Sequence, residues 1–136
     1  MRVGVLIVAH YRLGEEFLQA LRLILPHAPS FEAVSVDPKQ SVDEMRSAIA
    51  EGLARADEGE GVLVLTDMFG GTPSNISLSF LAERRVEVVT GMNLPMLIKL
   101  ATLRKEPPLE ELAADIRDYG QRNISVASEL LPEEGS

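Results

Sequence analysis

The chain has 136 residues, which fits one domain with a real hydrophobic core and is too short for two. Its 21 acidic side chains against 13 basic ones give a formal charge of −8, and the basic residues are scattered, with Arg84-Arg85 and Arg104-Lys105 the only adjacent pairs. Nonspecific nucleic-acid binding needs basic surface, so no nucleic-acid partner is expected. There is no cysteine, hence no disulfide and no thiolate ligand, as suits a reducing cytosol. No apolar run nears the roughly 20 residues of a membrane span.

In chain order, Val3–Ala9 is a continuous apolar run, the pattern of a strand buried on both faces. A strand at the very start, followed by an acidic helix, does not read as a cleaved leader. Leu13, Phe17, Ala20, Leu21, Ile24 and Leu25 form a helical stripe, with Glu15 and Glu16 opposite and Pro26 and Pro29 as the stop. Phe31–Val36 reads as a second strand. Ser41 with Glu44 is a capping box that opens a helix with Met45, Ile49, Gly52 and Leu53 facing inward. Gly61–Thr66 is a third strand, apolar almost throughout. Thr72-Pro73 opens the next helix, with Thr72 as the capping hydroxyl and proline at the first helical position. Val86–Thr90 is a fourth strand. Asn93 and Pro95 begin a helix running to about Arg104. Leu109, Leu112, Ala113 and Ile116 mark a last helix, closed near Gly120. Ile124–Leu131 alternates and is expected to be a fifth strand. The domain is taken as residues 1–131, followed by a polar tail at 132–136. Strands alternating with helices make an α/β fold, a parallel sheet covered on both faces.

In such sheets ligands bind beyond the C-terminal strand ends, at a switch in strand order. His10 follows the first strand there, and Asp37 the second. Asp67 follows the third with Met68, Phe69, Gly70, Gly71, Thr72, Pro73, Ser74 and Asn75, and Gly91-Met92-Asn93 follows the fourth. If the first and third strands are neighbours, His10 and Asp67 meet beside a glycine pair leading to a helix start. These are the parts of a phosphohistidine site. A carboxylate on one ring nitrogen fixes the tautomer and frees the other to attack. Amides of the turn and the hydroxyls of Thr72 or Ser74 can neutralise the transferred group, and phosphoryl transfer is mostly positioning plus charge stabilisation. No metal or cofactor is called for.

The stretches VGVLIVAH at 3–10, GVLVLTDMFGGTPSN at 61–75 and VVTGMNLPML at 88–97 resemble the IIA domain of the mannose-family bacterial phosphotransferase system, over nearly the whole chain. The resemblance implies a three-layer sandwich with strand order 2-1-3-4. It implies that His10 accepts a phosphoryl group from the carrier protein HPr and passes it to a IIB protein, with Asp67 orienting the histidine and Gly70, Gly71, Thr72, Ser74 and Asn75 holding the phosphoryl group. It also implies a cytoplasmic homodimer in which the strand around Ile124–Leu131 runs antiparallel and is exchanged between subunits. Peripheral association with the membrane components IIC and IID belongs to the same picture. The chain departs from the family in one place: many members have glycine directly after the active histidine, where Tyr11 and then Arg12 stand here. The acceptor is expected to be a separate protein, since the chain carries no fused IIB domain.

Other residues have plainer readings. His27, between Pro26 and Pro29, is an exposed turn residue. Asp37 before Pro38 is a turn residue, and Asn93 is a helix cap. Met68 and Phe69 divide evenly between burial and partner docking. A serine hydrolase would need G-x-S-x-G, and a dinucleotide site G-x-G-x-x-G after the first strand; neither is present. Two histidines lack the spacing of a metal site. Two related alternatives stand beside sugar uptake: a regulatory module read through its phosphorylation state, and a subunit relaying phosphate to dihydroxyacetone kinase.

Overall fold

The apolar runs become strands because each is buried from both sides. In the structure, a computed structural model that describes residues 2–132, successive side chains of β1 (Gly4–His10) enter two different cores. Val5, Ile7 and Ala9 face one, Leu6 and Val8 the other. This period of two is what a pleated strand imposes, and it explains a run without polar interruption. β2 (Glu32–Val36), β3 (Val62–Thr66) and β4 (Val86–Thr90) complete a parallel sheet of order β2-β1-β3-β4. The expected order 2-1-3-4 is thus present.

Helices α1 (Leu13–Ile24), α4 (Leu94–Thr102) and α5 (Leu109–Arg122) cover one face through Leu18, Leu21, Leu97, Leu100, Leu112 and Ile116. Helices α2 (Val42–Ala56) and α3 (Thr72–Leu78) cover the other through Met45, Ile49, Leu53 and Ile76, joined by Phe80. Burying each large aliphatic side chain is worth about 1.5–3 kcal/mol. α2 starts at the expected capping box: the Ser41 hydroxyl accepts from the Glu44 amide at 3.1 Å, and the Glu44 carboxylate accepts from the Ser41 amide at 3.1 Å. Hydrogen bonds from the Ser41 amide and then its hydroxyl hold the Glu44 carboxyl below its ordinary range. Gly52 lets α2 lie close on the sheet, since a Cβ there would come within 2.7 Å of a Val34 methyl.

Four expectations change. The buried stripe of α1 runs through Gly14, Leu18 and Leu21, while Leu13 and Ile24 are exposed; the sheet surface, not residue type, decides which flank is covered. α3 is capped at Gly71 without a side-chain hydrogen bond, and Thr72 is its first residue. α5 runs past Gly120 to Arg122. Gly120 marks a close approach, because a Cβ there would lie 2.6 Å from Met96 Sδ.

The fourth change is the fifth strand. Ile124–Leu131 pairs with nothing among the described residues and carries a 3₁₀ turn at Ala127–Leu130, where the Glu129 amide donates to the Val126 carbonyl at 3.0 Å. Ile124, Val126, Leu130 and Leu131 are exposed. A strand exists only against a partner edge, and this segment meets none among the described residues; alternation alone does not make one. No exchange between subunits is seen. Of the tail at 132–136, residues 133–136 lie outside the described residues. Among the described residues no helix is long and apolar enough to cross a membrane.

Candidate functional site

β1 leaves for β2 on one side, and the chain returns to β3 on the other, so the switch in strand order falls between β1 and β3. Val8 stands opposite Thr66 in that pair. His10 is two residues beyond and Asp67 one, which places both at the C-terminal edge of adjacent strands. Thr66 is wholly buried. Its carbonyl accepts from the amides of Gly91 and Met92, each at 3.0 Å, which ties the ends of β3 and β4 together. Nothing in the residue type of Thr66 signals this role.

One oxygen of Asp67 holds His10 twice. Oδ2 accepts from the His10 backbone amide at 3.0 Å and lies 2.8 Å from the ring Nδ1. Oδ1 accepts from the Met68 amide at 3.0 Å. An ionised carboxylate can only accept, so Nδ1 carries the proton and the neutral ring keeps its lone pair on Nε2. The Asp67 side chain is 12% exposed and that of His10 44%. Burial by itself raises the Asp67 carboxyl. The hydrogen bonds from the His10 amide and ring, and the charge of that ring whenever it is protonated, outweigh it, so the carboxyl sits below its ordinary range.

The free edge of the ring meets the glycine turn. A Cβ on Gly71 would lie 2.8 Å from His10 Cε1 and 3.2 Å from Nε2. The backbone at Gly71 is thus a wall that only glycine permits, and Nε2 lies along it. Gly70, at φ 87°, supplies the left-handed turn before it. Thr72 and Asn75 are exposed at the start of α3, whereas the Ser74 hydroxyl is fully buried with no hydrogen-bond partner among the described residues. Met68 and Phe69 are 52% and 70% exposed, so neither is buried.

Of the remaining candidates, Asp37 and Asn93 have local partners of their own. His27 is exposed in a turn after α1. Asp37 closes its own turn, accepting from the Lys39 amide at 2.9 Å. Asn93 caps α4 by accepting from the Met96 amide at 3.2 Å, and donates to the Gly120 carbonyl at 3.0 Å. Among the described residues there is no group of three or more His, Cys, Asp or Glu placed to hold a metal.

A feature missed from sequence is the backbone of Tyr11. It has φ 52°, the one positive value outside glycine among the described residues. An L side chain in that region costs about 1–2 kcal/mol. The Tyr11 amide donates to the Val36 carbonyl at 3.0 Å, which extends the β1–β2 ladder and turns the chain into α1.

Fold and site together define a class: a parallel α/β protein with a carboxylate-backed histidine at the switch point. Comparison with known proteins narrows it. The family model described as PTS system fructose IIA component matches residues 4–117. The fructose-specific EIIA component of Bacillus subtilis (strain 168) is 28% identical over 130 residues, covering 95% of this chain and 89% of that protein. The sorbose-specific EIIA component of Lacticaseibacillus casei is 26% identical, covering 93% and 92%. The mannose/sorbose specific IIA subunit of Enterococcus faecalis superposes with a TM-score of 0.86 at 29% identity, over 98% of each chain. The chain belongs to this family: it is a mannose-family IIA component of the sugar phosphotransferase system, a phosphotransferase acting in sugar transport.

Proposed function

We propose that His10 is the phosphoryl carrier, loaded by HPr and unloaded by a separate IIB protein. The observation that carries this reading is the Nδ1 contact to Asp67 at 2.8 Å with Nε2 turned to the Gly71 backbone. The Nε2 lone pair attacks phosphorus, the bond to the donor's leaving atom breaks, and that atom keeps the electron pair. The ring, with Nδ1 still protonated and Nε2 now bonded to phosphorus, carries positive charge. Asp67 balances that charge through Nδ1 and remains on the far side from the incoming phosphoryl group. The phosphoryl oxygens then lie along the turn. Gly70 gives that turn its shape. The amides of Gly71, Thr72 and Ser74, the Thr72 hydroxyl and the Asn75 side chain are the donors proposed for them. The Ser74 hydroxyl is left out of this set because it is buried. Transfer to IIB is the same displacement in reverse.

The setting of the reading is cytoplasmic, with the membrane components IIC and IID reached peripherally through the acceptor. A homodimer belongs to it as well. β4 is a sheet edge with a groove beside it lined by Glu87, Val89, Ala113 and Arg117, and the C-terminal segment exposes four large apolar side chains. An open edge and an unpartnered apolar segment in one chain suit exchange with a second copy.

The test is covalent. Phosphoenolpyruvate, enzyme I and HPr from the same source should add one acid-labile phosphate, lost in His10→Ala and kept in His27→Ala. Label that survives in His10→Ala and disappears in His27→Ala would overturn the reading.

A further inference from the structure

Tyr11 holds a backbone conformation that every other described residue in that region reaches as glycine: Gly59, Gly61, Gly70 and Gly91. The fold needs the turn, since the Tyr11 amide caps the β1–β2 ladder on Val36. It does not need the ring. The side chain is 76% exposed, belongs to neither hydrophobic core, and its hydroxyl makes no hydrogen bond among the described residues. Glycine would make the same turn without strain. The tyrosine ring therefore has a use outside the folded chain.

Its position says which use. Tyr11 follows His10 directly, and the Cβ position of Gly71 that lies 2.8 Å from His10 Cε1 is 3.5 Å from Met68 Cγ. Tyr11, beside His10 in the chain, and Met68 and Phe69, which follow Asp67, are thus large exposed apolar side chains on the two turns that carry one half-exposed histidine. A phosphoryl group held on another protein reaches Nε2 only when its phosphorus comes within about 3–3.5 Å, so the donor's surface must close over the residues flanking His10. Exposed apolar groups clustered at such a place mark protein contact. Resting on the phosphocarrier reading above, we propose that Tyr11 is a recognition residue for the phosphoryl donor protein, its ring packing with Met68 and Phe69 against an apolar surface around the donor's phosphorylated side chain. Tyr11 takes no part in the chemistry.

Three variants separate ring from backbone. Tyr11→Ala removes the ring and keeps the strain, Tyr11→Gly removes both, and Tyr11→Phe keeps both. Each is loaded with phospho-HPr, and separately with phosphoramidate, a small donor whose P–N bond breaks with loss of ammonia as the P–Nε2 bond forms. Expected are a KM for phospho-HPr raised at least fivefold in Tyr11→Ala and Tyr11→Gly, a kcat within twofold, and Tyr11→Phe near the parent. Labelling by phosphoramidate is expected to stay within twofold in all three, and the melting temperature of Tyr11→Gly to be equal or higher. A parent-like KM in Tyr11→Ala and Tyr11→Gly overturns the proposal. So does an equal fall with both donors, which would make Tyr11 a positioning residue for His10. Failure of the parent to take label on His10 from either donor sinks the phosphocarrier reading instead.

Discussion

At His10 the decisive quantity is the placement of two nitrogens. Asp67 Oδ2 grips Nδ1 and the backbone amide of the same residue, so ring and strand end are fixed together. Asp67→Asn keeps the shape and removes the charge proposed to balance a phosphorylated ring. Phosphorylation is expected to slow on the order of 10–100-fold in a folded variant, as loss of one preorganised electrostatic partner does, and ring nitrogen chemical shifts should report a mixture of tautomers. The same carboxyl gives a pH signature. Its folded-state value lies below the unfolded one, so its stabilisation is complete above the unfolded value of about 4 and is lost as pH falls through the depressed folded value. The stability gap between parent and Asp67→Asn should therefore be present at pH 5 and shrink on further acidification; a gap that widens in acid contradicts the pairing. Gly71→Ala asks for a Cβ 2.8 Å from the ring. The ring must shift off Asp67 or lose its open Nε2, and the transfer rate should drop at least tenfold while the urea midpoint hardly moves. A parent-like rate would mean that Nε2 does not use this wall.

Among the elements, β1 does the most, because it pairs on both sides and, like β3, sends alternate side chains into both cores. Its alternating contacts explain why α1 and α2, on opposite faces, pack on the same strand. Ile49, fully buried on α2 against Leu6 and Val8 in the second core, has no route to solvent. Ile49→Ala should cost about 2–5 kcal/mol, read as a lower urea midpoint at unchanged m-value. A loss under 1 kcal/mol would mean that α2 relaxes onto the sheet. Gly4 is the tighter constraint: a Cβ there would meet the Ala56 carbonyl oxygen at 2.0 Å, and backbone cannot swing aside as a side-chain tip can. Gly4→Ala should separate the end of α2 from β1 and destabilise by about 1–3 kcal/mol or more.

For the whole molecule the open question is what meets the edge of β4 and the exposed residues after Asn123. Light scattering of the full chain at tens of micromolar should give twice the chain mass, and truncation from Asn123 onward should give a monomer that keeps its sheet by circular dichroism. A full-length monomer at that concentration would remove the exchange reading. With a net charge of −8 the molecule repels free phosphate and attracts basic protein surface. Both effects favour delivery of the phosphoryl group on a protein.

The sequence by itself determined the four buried strands, the helices between them and the capping box at Ser41; that His10 meets Asp67 followed only if β1 and β3 are neighbours, an order the family resemblance implied. Those features rest on local periodicity, on short capping contacts and on a topology with few right-handed solutions. Only the tertiary structure decided which flank of α1 is covered, why Gly52, Gly71 and Gly120 must lack a side chain, that Tyr11 carries a strained turn, and that Ile124–Leu131 has no strand partner among the described residues. Each of these depends on atoms brought close from distant parts of the chain. A close approach between elements, or a missing neighbour, leaves no pattern in the residues on either side.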